Sequence, residues 1–368
     1  MKRLIYFLSI LFLITGCGSQ VIDDLAMLDA VAYDLSEDEE KPLTVTAQYP
    51  IITQEGVIGN EILSVNANSS KDSRIQFSHE SNLKMVSGQI NIALFGEKLA
   101  EVGLKTIIDT FMRDPSLGPR VYFVVTKGNA KDILEYKHQE GPDTARYLRT
   151  FSEKLDIENE SANYNSYQVI RDYFDDGIDP IMPYFIIKNK KISLDGYALF
   201  NKDKFVHHIS TKQSATLFYL RDDIHKGTLS IDVSDAKNEN LFPEQLMFNY
   251  HKKDYSLNVK MNENQPISVE IVIELEGRVL EYTGEKYLDN EKVQKQLEEK
   301  IKVHLDEQST EFIELTKEIN IDPIGIGRYV RNKLPYNEWK KMNWEEVYPT
   351  LDINVSLDMK LIDVGQAK

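Results

Sequence analysis

The chain has 368 residues, of which 42% are hydrophobic and 28% are charged, a balance typical of a folded protein and not of a disordered one. It carries 43 Lys and Arg against 59 Asp and Glu, a formal net charge of −16, which disfavours nucleic acid and anionic lipid headgroups as electrostatic partners. The single cysteine excludes intrachain disulfides and cysteine-rich metal sites.

The first seventeen residues have the pattern of an export signal. Lys2 and Arg3 precede an apolar run over residues 4–14, which is too short to cross a bilayer core of about 30 Å. The run ends in Leu-Ile-Thr-Gly-Cys at residues 13–17, which resembles the lipobox of bacterial lipoproteins. We therefore predict a signal peptide over residues 1–16 and S-diacylglycerol and N-palmitoyl chains on Cys17. A buried free cysteine in an ordinary signal peptide is the less favoured interpretation.

Two acyl chains would hold the chain stably on a membrane, at about 0.8 kcal/mol per buried CH₂. No later apolar stretch in the sequence is long enough to span a bilayer. The sequence thus predicts a soluble body tethered outside the cytoplasmic membrane. Cleavage before Cys17 would remove two positive charges and take the formal charge from −16 to −18.

Residues 17–180 are predicted to form an N-terminal α/β domain. Residues 21–34 read as an entry strand or a short helix, and alternating apolar residues predict a strand over residues 43–49. The next predicted elements are a strand at 90–95, one helix over 97–112, a buried strand at 121–126, and helices at 144–155 and 164–174.

Residues 181–235 are predicted to form a small β-rich middle domain. Short strands are expected at 185–187, 192–200 and 205–209, with a hairpin turn at 201–203, then a helix at 212–220 and a strand at 228–233. Because this span is small for an independent core, we expect it to be stabilised by packing against the neighbouring domains.

Residues 236–368 are predicted to form a domain of a sheet and one long helix. Strands are expected at 256–261, 267–275 and 353–361. An apolar stripe over residues 289–319 predicts an amphipathic helix packed on that sheet, in preference to a coiled-coil seam. The predicted fold class is mixed α/β (α+β), with three unlike domains, each a largely antiparallel or mixed sheet with packed helices.

The sequence shows no pattern that carries known chemistry. No two histidines have metal-binding spacing, and neither a Gly-x-Ser-x-Gly elbow nor a phosphate loop is present. Gly325-Ile326-Gly327 lacks the third glycine of a dinucleotide fingerprint. We predict no catalytic residue, no cofactor and no metal site.

The segment from Asp322 to Arg328 stands out for its two glycines. Asp322 suits a helix N-cap and a proline follows at the first helical position. Gly325 and Gly327 would each cost a helix about 1 kcal/mol, so they should permit a close backbone approach. We favour internal packing over contact with a partner protein. Trp339 and Trp344, which follow, suit a core and an interface equally well.

Four stretches in order give the sequence a family resemblance. They are the lipobox at Cys17, the segment 79–114 with Leu-Phe-Gly-Glu-Lys-Leu-Ala at 94–100, the segment Leu-Asp-Gly-Tyr-Ala-Leu-Phe at 194–200, and the segment from Asp322 through both tryptophans to the strand at 353–362. The chain resembles the C-subunit lipoproteins of spore germination nutrient receptors, the Ger(x)C family.

The resemblance implies three mixed α/β domains, a lipid anchor on the extracytoplasmic face of the spore inner membrane, and assembly with integral-membrane receptor A and B subunits. It implies no catalytic activity, and it carries over one residue, Cys17. Two alternatives remain open. An extracytoplasmic solute-binding lipoprotein should show two similar lobes around a cleft, and a surface hydrolase should show clustered carboxylates in a deep pocket.

Overall fold

The computed structural model describes residues 24–53, 56–136, 143–157, 165–234, 243–261 and 266–364. Within these ranges the chain forms three unlike sheets, of two, eight and four strands, with helices packed against them. The predicted mixed α/β fold class is confirmed. The predicted signal peptide and Cys17 lie outside the described residues.

Strands and helices alternate through the described part of the chain. The strands are β1 (Leu25–Met27), β2 (Ala30–Leu35), β3 (Leu43–Thr53), β4 (Gly56–Ala67), β5 (Lys84–Val86), β6 (Ile92–Gly96), β7 (Tyr122–Thr126), β8 (Ile181–Lys188), β9 (Lys191–Asn201), β10 (Lys204–Ser210), β11 (Gly227–Asp232), β12 (Gln245–Lys260), β13 (Ser268–Tyr282) and β14 (Asp352–Asp363). The helices are α1 (Asp72–Glu80), α2 (Glu97–Val102), α3 (Lys105–Arg113), α4 (Ala130–Leu134), α5 (Thr144–Ile157), α6 (Ser166–Phe174), α7 (Thr211–Leu220), α8 (Glu291–Glu318), α9 (Ile326–Lys333), α10 (Tyr336–Trp339) and α11 (Trp344–Val347), followed by a 3₁₀ turn at Tyr348–Thr350.

The eight-stranded sheet has the strand order β10-β9-β8-β7-β6-β2-β3-β4. Its centre, β8-β7-β6-β2, is parallel, and an antiparallel pair extends it on each side. Every residue of β6 is buried, as a parallel strand covered on both faces requires. The predicted apolar runs at 90–95 and 121–126 therefore lie at the centre of the largest core.

The predicted middle domain is divided between two sheets. Its strands β8, β9 and β10 continue the eight-stranded sheet, because β8 pairs in parallel with β7. Its last strand, β11, pairs with β12 in the four-stranded sheet. The boundary expected after residue 180 thus falls inside one continuous sheet. Pro180 directly precedes β8, and Pro183 lies within that strand, opposite Tyr197.

The single helix expected over residues 97–112 is wrong, because two helices, α2 and α3, occupy this span. Gly103 separates them with φ +130°, a backbone conformation that L side chains rarely adopt. Asp203, in the turn between β9 and β10, accepts a hydrogen bond from the backbone N–H of Lys105 at 3.1 Å. The apolar residues keep helical spacing across the break, which is why the pattern alone read as one helix.

The four-stranded sheet has the order β11-β12-β13-β14, with β14 parallel to β13. The long helix α8 packs on β14 and contacts α7. Its buried stripe consists of Leu297, Ile301, Leu305, Ser309, Phe312, Ile313 and Thr316. This confirms the helix-on-sheet prediction.

Candidate functional site

The residues singled out between Asp322 and Trp344 lie where the two larger sheets meet. We call this region, residues 172–179, 221–223, 322–331 and 339–348, the joint. The backbone N–H of Asp179 donates to the carbonyl of Asp322 at 2.9 Å, and the N–H of Asp322 donates to the carboxylate of Asp179 at 2.8 Å. The segment leading into β8 is thereby hydrogen-bonded to the segment that follows α8.

Asp322 is fully buried and holds the start of α9. Its carboxylate accepts hydrogen bonds from the backbone N–H groups of Gly325, Ile326 and Gly327, at 2.8, 3.0 and 2.7 Å. The expectation that Asp322 is the N-cap and Pro323 the first helical residue is wrong, because the helix begins at Ile326 and its N-cap is Gly325. Gly325 has φ +86°, so the chain turns through a left-handed residue before the helix starts.

Gly327 lies against Gly177 at a close backbone contact within the joint. The N–H of Arg328 donates to the carbonyl of Gly177 at 3.0 Å. A Cβ on Gly177 would lie 2.4 Å from the backbone nitrogen of Arg328, and a Cβ on Gly327 would lie 2.8 Å from the Cα of Gly177. Both positions therefore exclude any larger residue unless the backbone moves.

The aromatic residues after α9 cover one side of the joint. The ring centroids of Trp339 and Trp344 lie 5.6 Å apart, and those of Trp344 and Tyr348 lie 5.8 Å apart. Trp339 and Tyr348 are buried and Trp344 is half-buried. A Cβ on Gly327 would come within 2.8 Å of the Trp344 indole, so the ring packs directly on this glycine.

A cluster of charged side chains that the sequence analysis did not predict lies beside this packing. The Arg221 guanidinium is fully buried and donates to both carboxylate oxygens of Asp223 at 2.9 Å each. It also donates to the carbonyl of Pro323 at 2.9 Å and lies 3.5 Å from the buried Asp172. Arg171 pairs with Asp172 from the other side at 2.7 Å. The run Arg221-Asp222-Asp223 reads as a solvated turn in the sequence, and no local signal shows that its arginine is buried.

Lys253 of β12 joins this cluster through main-chain carbonyls. Its buried ammonium donates to the carbonyl of Tyr219 at 3.3 Å and to that of Arg221. Burial lowers the pKa of Lys253 to about 8, although Asp222 and Asp223 act in the opposite direction. Burial also acts to raise the pKa of Asp223, but the hydrogen bonds and charge of Arg221 outweigh it and hold that pKa well below its usual value.

The two carboxylates that link the segments have raised pKa values. Burial raises the pKa of Asp322 to about 7; its three backbone N–H bonds counteract this and the nearby Asp179 adds to it. Burial likewise raises the pKa of Asp179. A carboxyl group that titrates near neutral pH suits proton transfer in enzymes. Here, however, both oxygens of Asp322 are occupied by the turn that they hold.

Two cavities border these elements. One, of about 240 Å³, lies beside the joint and is lined by Asp179, Lys202, Trp339, Lys340 and Trp344, among others. Lys340 is paired there with Asp176 at 2.9 Å. The other, of about 530 Å³, lies between α7, β11 and α8, with Lys212, Asp232 and His304 among its polar residues. It is a groove within one part of the chain and not a cleft between two similar lobes.

The comparisons with known proteins agree with the resemblance drawn from the sequence. Residues 18–187 match the model of the spore germination protein N-terminal domain, and residues 195–365 match that of the spore germination B3/GerAC-like C-terminal domain. The chain belongs to the GerAC-like spore germination family.

Similar members of the GerAC-like family match almost the full length of this chain. Spore germination protein GerQC of Bacillus cereus is 25% identical over 366 residues, which cover 99% of each chain. Spore germination protein A3 of Bacillus subtilis (strain 168) is 23% identical over 375 residues, covering 96% of this chain and 95% of the relative. The crystal structure of the GerBC protein superposes with a TM-score of 0.56 at 17% identity, covering 92% of this chain and all of that one, which shows a shared fold.

The two family matches meet at the hairpin that joins β8 to β9. Asn189 and Lys190 form its tip, with φ +52° and +59°, as a two-residue hairpin turn requires. The division between the matched halves of this GerAC-like chain therefore lies within the eight-stranded sheet. The joint brings residues of both halves together, since Gly177 belongs to the first match and Gly327 to the second.

Across residues 24–364, apart from the ranges left undescribed, no group of three His, Asp or Glu side chains is placed to hold a metal ion. His207 is half-buried on β10, and burial lowers its pKa. None of the helices described above is long and apolar enough to cross a membrane. The contacts at the joint fix the first matched half of the chain to the second.

Proposed function

We propose that this chain is the lipid-anchored, non-enzymatic subunit of a spore germinant receptor. It would be held through Cys17 on the extracytoplasmic face of the spore inner membrane and would assemble there with integral-membrane A and B subunits. The proposal rests on the order in which the lipobox-like sequence and the two family matches follow one another along the chain. The first family match begins at residue 18, directly after the cysteine of the lipobox-like sequence, and the two matches together reach residue 365.

The geometry of the joint supports a coupling role in preference to a catalytic one. Arg221, Asp223, Lys253 and Asp322 are each engaged with an opposite charge or with main-chain groups. Buried polar side chains that are hydrogen-bonded in this way hold packed elements in one arrangement. The chain would therefore act as one body that links its membrane-embedded partners by contacting each of them. It would not catalyse a reaction.

The first experiment tests the anchor. Mass spectrometry of the protein purified from spore membranes should show an amino terminus at Cys17 carrying S-diacylglycerol and an N-acyl chain. The Cys17→Ala variant should leave the membrane fraction and weaken the nutrient response, whereas the neighbouring Ser19→Ala variant should behave as the wild type. An unmodified thiol, or an unchanged membrane fraction for Cys17→Ala, would contradict the anchor.

The second experiment tests the partners. A crosslinking map in intact spores should join this chain to both integral-membrane subunits, and the three should co-purify after mild solubilisation. A chain that is recovered alone, with its anchor intact, would contradict assembly while leaving lipidation standing.

A solute-binding lipoprotein is the second candidate, and the groove between α7, β11 and α8 is the feature that favours it. Isothermal titration calorimetry with amino acids and sugars separates the two proposals. Saturable heat that is lost on substituting a groove residue, for example Lys212→Ala, would support solute capture. The absence of heat for every tested nutrient would leave the coupling role as the better explanation.

A further inference from the structure

The hairpin of β3 and β4 carries exposed aliphatic side chains at its tip. Ile51 and Ile52 are each 37% exposed and Val57 is 65% exposed. In the ladder, Ile52 pairs with Val57, and a register shift separates this pair from that of Ile51 with Gly59. We call Ile51, Ile52 and Val57 the apolar tip. The backbone pairing of the two strands does not itself require aliphatic side chains at these exposed positions.

The apolar tip lies at the end of the eight-stranded sheet where the chain enters. β2 runs antiparallel to β3 and starts at Ala30, which is paired with Gln48. From Gln48, β3 continues five residues further to Thr53, or about 17 Å at 3.4 Å per residue. Asp29 donates to the carbonyl of Gln48 at 2.9 Å, and β1 lies against β3. The hairpin therefore projects beyond the start of β2 on the side from which the amino-terminal segment comes.

The length of chain before β1 keeps this end close to the anchor. Six residues separate Cys17 from Asp24, the first described residue, and the seven steps from one residue to the next span at most about 25 Å in an extended chain. A bilayer that holds acyl chains on Cys17 is thus within the same distance of the start of β1. The hairpin reaches out from that end of the sheet.

Charge and polarity favour lipid as the occupant of this surface. The chain has a net charge of −16, so its body as a whole is repelled by anionic headgroups and overall electrostatic attraction does not draw it to a membrane. Aliphatic side chains instead gain by entering the boundary between headgroups and acyl chains, where apolar area is removed from water. Three such residues would bind weakly alone, but a covalent tether raises their effective concentration at the surface.

We propose that the apolar tip inserts into the bilayer that holds the Cys17 anchor, giving the body a second contact with the membrane and a fixed orientation on it. This inference rests on the proposed lipid anchor. Two attachment points, the acyl chains and the hairpin, would stop the body from turning freely about its tether. The same face would then always be presented to membrane-embedded partners.

The test uses the mature chain, residues 17–368, with Cys17→Ser and an amino-terminal hexahistidine bound to nickel-chelating lipid in phosphatidylcholine vesicles. An environment-sensitive fluorophore is attached through Val57→Cys. The matched control is Leu35→Cys, an aliphatic position that is 41% exposed at the opposite end of β2. On vesicles the label at position 57 should shift to the blue and be quenched at least twofold by brominated lipid. The label at position 35 should not change.

Three outcomes would overturn the proposal. The label at position 57 could stay unchanged on vesicles, which would show a tip in water. Both labels could change equally, which would show a body lying flat. The label at position 57 could respond only when solubilised A and B subunits are added, which would show a protein contact. Because the vesicle supplies the tether, this result is independent of native acylation, which mass spectrometry of Cys17 tests separately.

Discussion

The joint and the apolar tip both depart from the usual pattern, in which apolar side chains are buried and charged side chains are exposed. At the joint, charged groups such as Arg221 and Asp322 are fully buried, while at the tip aliphatic groups such as Val57 are exposed. Buried charges are tolerated when opposite charges and main-chain groups surround them, and the joint supplies both. The exposed aliphatic residues have no such partner within the fold. The comparison indicates that the joint serves the chain itself and that the tip serves contact with something outside it.

The two regions should therefore respond in opposite ways to substitution. Changes at the joint should alter the free energy of unfolding, and changes at the tip should alter contact with the membrane while leaving stability nearly intact. Each prediction below tests one side of that contrast.

The largest effect is expected from Arg221→Met. The side chain is fully buried between Asp223 and Asp172, so its loss leaves buried carboxylate without the guanidinium that neutralises it. Breaking a buried ion pair from one side costs about 3–5 kcal/mol. Urea unfolding followed by circular dichroism measures the loss.

The control for that variant is Arg113→Met, which breaks an exposed pair with Asp109 one helical turn away. Exposed pairs of this kind contribute about 0.3–0.5 kcal/mol. If both arginine variants lost the same small amount, the cluster around Arg221 would not stabilise the joint.

The next effect is a dependence of the free energy of unfolding on pH, which arises from the ionisation of Asp322. Burial raises its pKa from the ordinary 3.8 to about 7, so the folded state binds this proton more tightly than the unfolded state. The resulting stabilisation is complete below pH 3.8 and is lost as the pH rises through 7. At 1.36 kcal/mol per pKa unit this amounts to on the order of 4 kcal/mol.

The measurement is the difference in unfolding free energy between the wild type and Asp322→Asn at several pH values from 4.5 to 8.5. That difference should fall as the pH rises. Asp176→Asn is the control, because the hydrogen bond from Lys340 lowers the pKa of Asp176 below 3.8, so its contribution is lost only below this pH range and the difference for this variant should stay flat within it. A flat difference for Asp322→Asn would mean that this carboxyl group has an ordinary pKa in the folded chain.

A third effect is expected where the backbone at Gly177 contacts the backbone at Gly327 and Arg328. Gly177→Ala would place a Cβ 2.4 Å from the nitrogen of Arg328 and 2.5 Å from the carbonyl carbon of Gly327, and both are main-chain atoms. Overpacking of this kind costs about 1–3 kcal/mol. Gly118→Ala is the matched control, since a Cβ there meets nothing within 4 Å and its φ is not positive. Equal midpoints of urea unfolding for the two variants would show that the segments can separate freely.

The sequence predicted the elements of this fold better than their assembly. The strand centres at residues 43–49 and 121–126 and the helix over 289–319 were recognisable because apolar periodicity is a local property. The pairing of β8 with β7 is not local, so the middle strands read as a separate unit. Two helix starts were also missed, one held by a distant contact and one set by the conformation of a single glycine. The break at Gly103 depends on the turn at Asp203, and the true start of α9 depends on the left-handed Gly325.

The candidate site was predictable in part. Two glycines beside an aspartate indicated a close backbone approach, and Gly327 does lie against Gly177. No local signal identifies the contact of Gly177 with Arg328 or that of Arg221 with the carbonyl of Pro323, because each joins residues more than 100 positions apart in the chain. Whether Asp322, Gly325, Gly327, Trp339 and Trp344 also contact a partner protein stays a prediction.

The smallest effect on stability is expected at the apolar tip. The combined variant Ile51→Ser, Ile52→Ser and Val57→Ser removes three exposed aliphatic side chains, and surface changes usually stay within about 0.5 kcal/mol each. In contrast, Val45→Ala on the same strand deletes buried apolar volume and should cost about 2 kcal/mol. Urea unfolding of both variants measures these values. On phosphatidylcholine vesicles, tethered as above, the paired substitutions Ile51→Ser and Ile52→Ser should weaken the lipid quenching of the label at Val57→Cys. A combined variant that unfolds as readily as Val45→Ala would mean that the tip is part of the core, and the contrast between the two regions would fail.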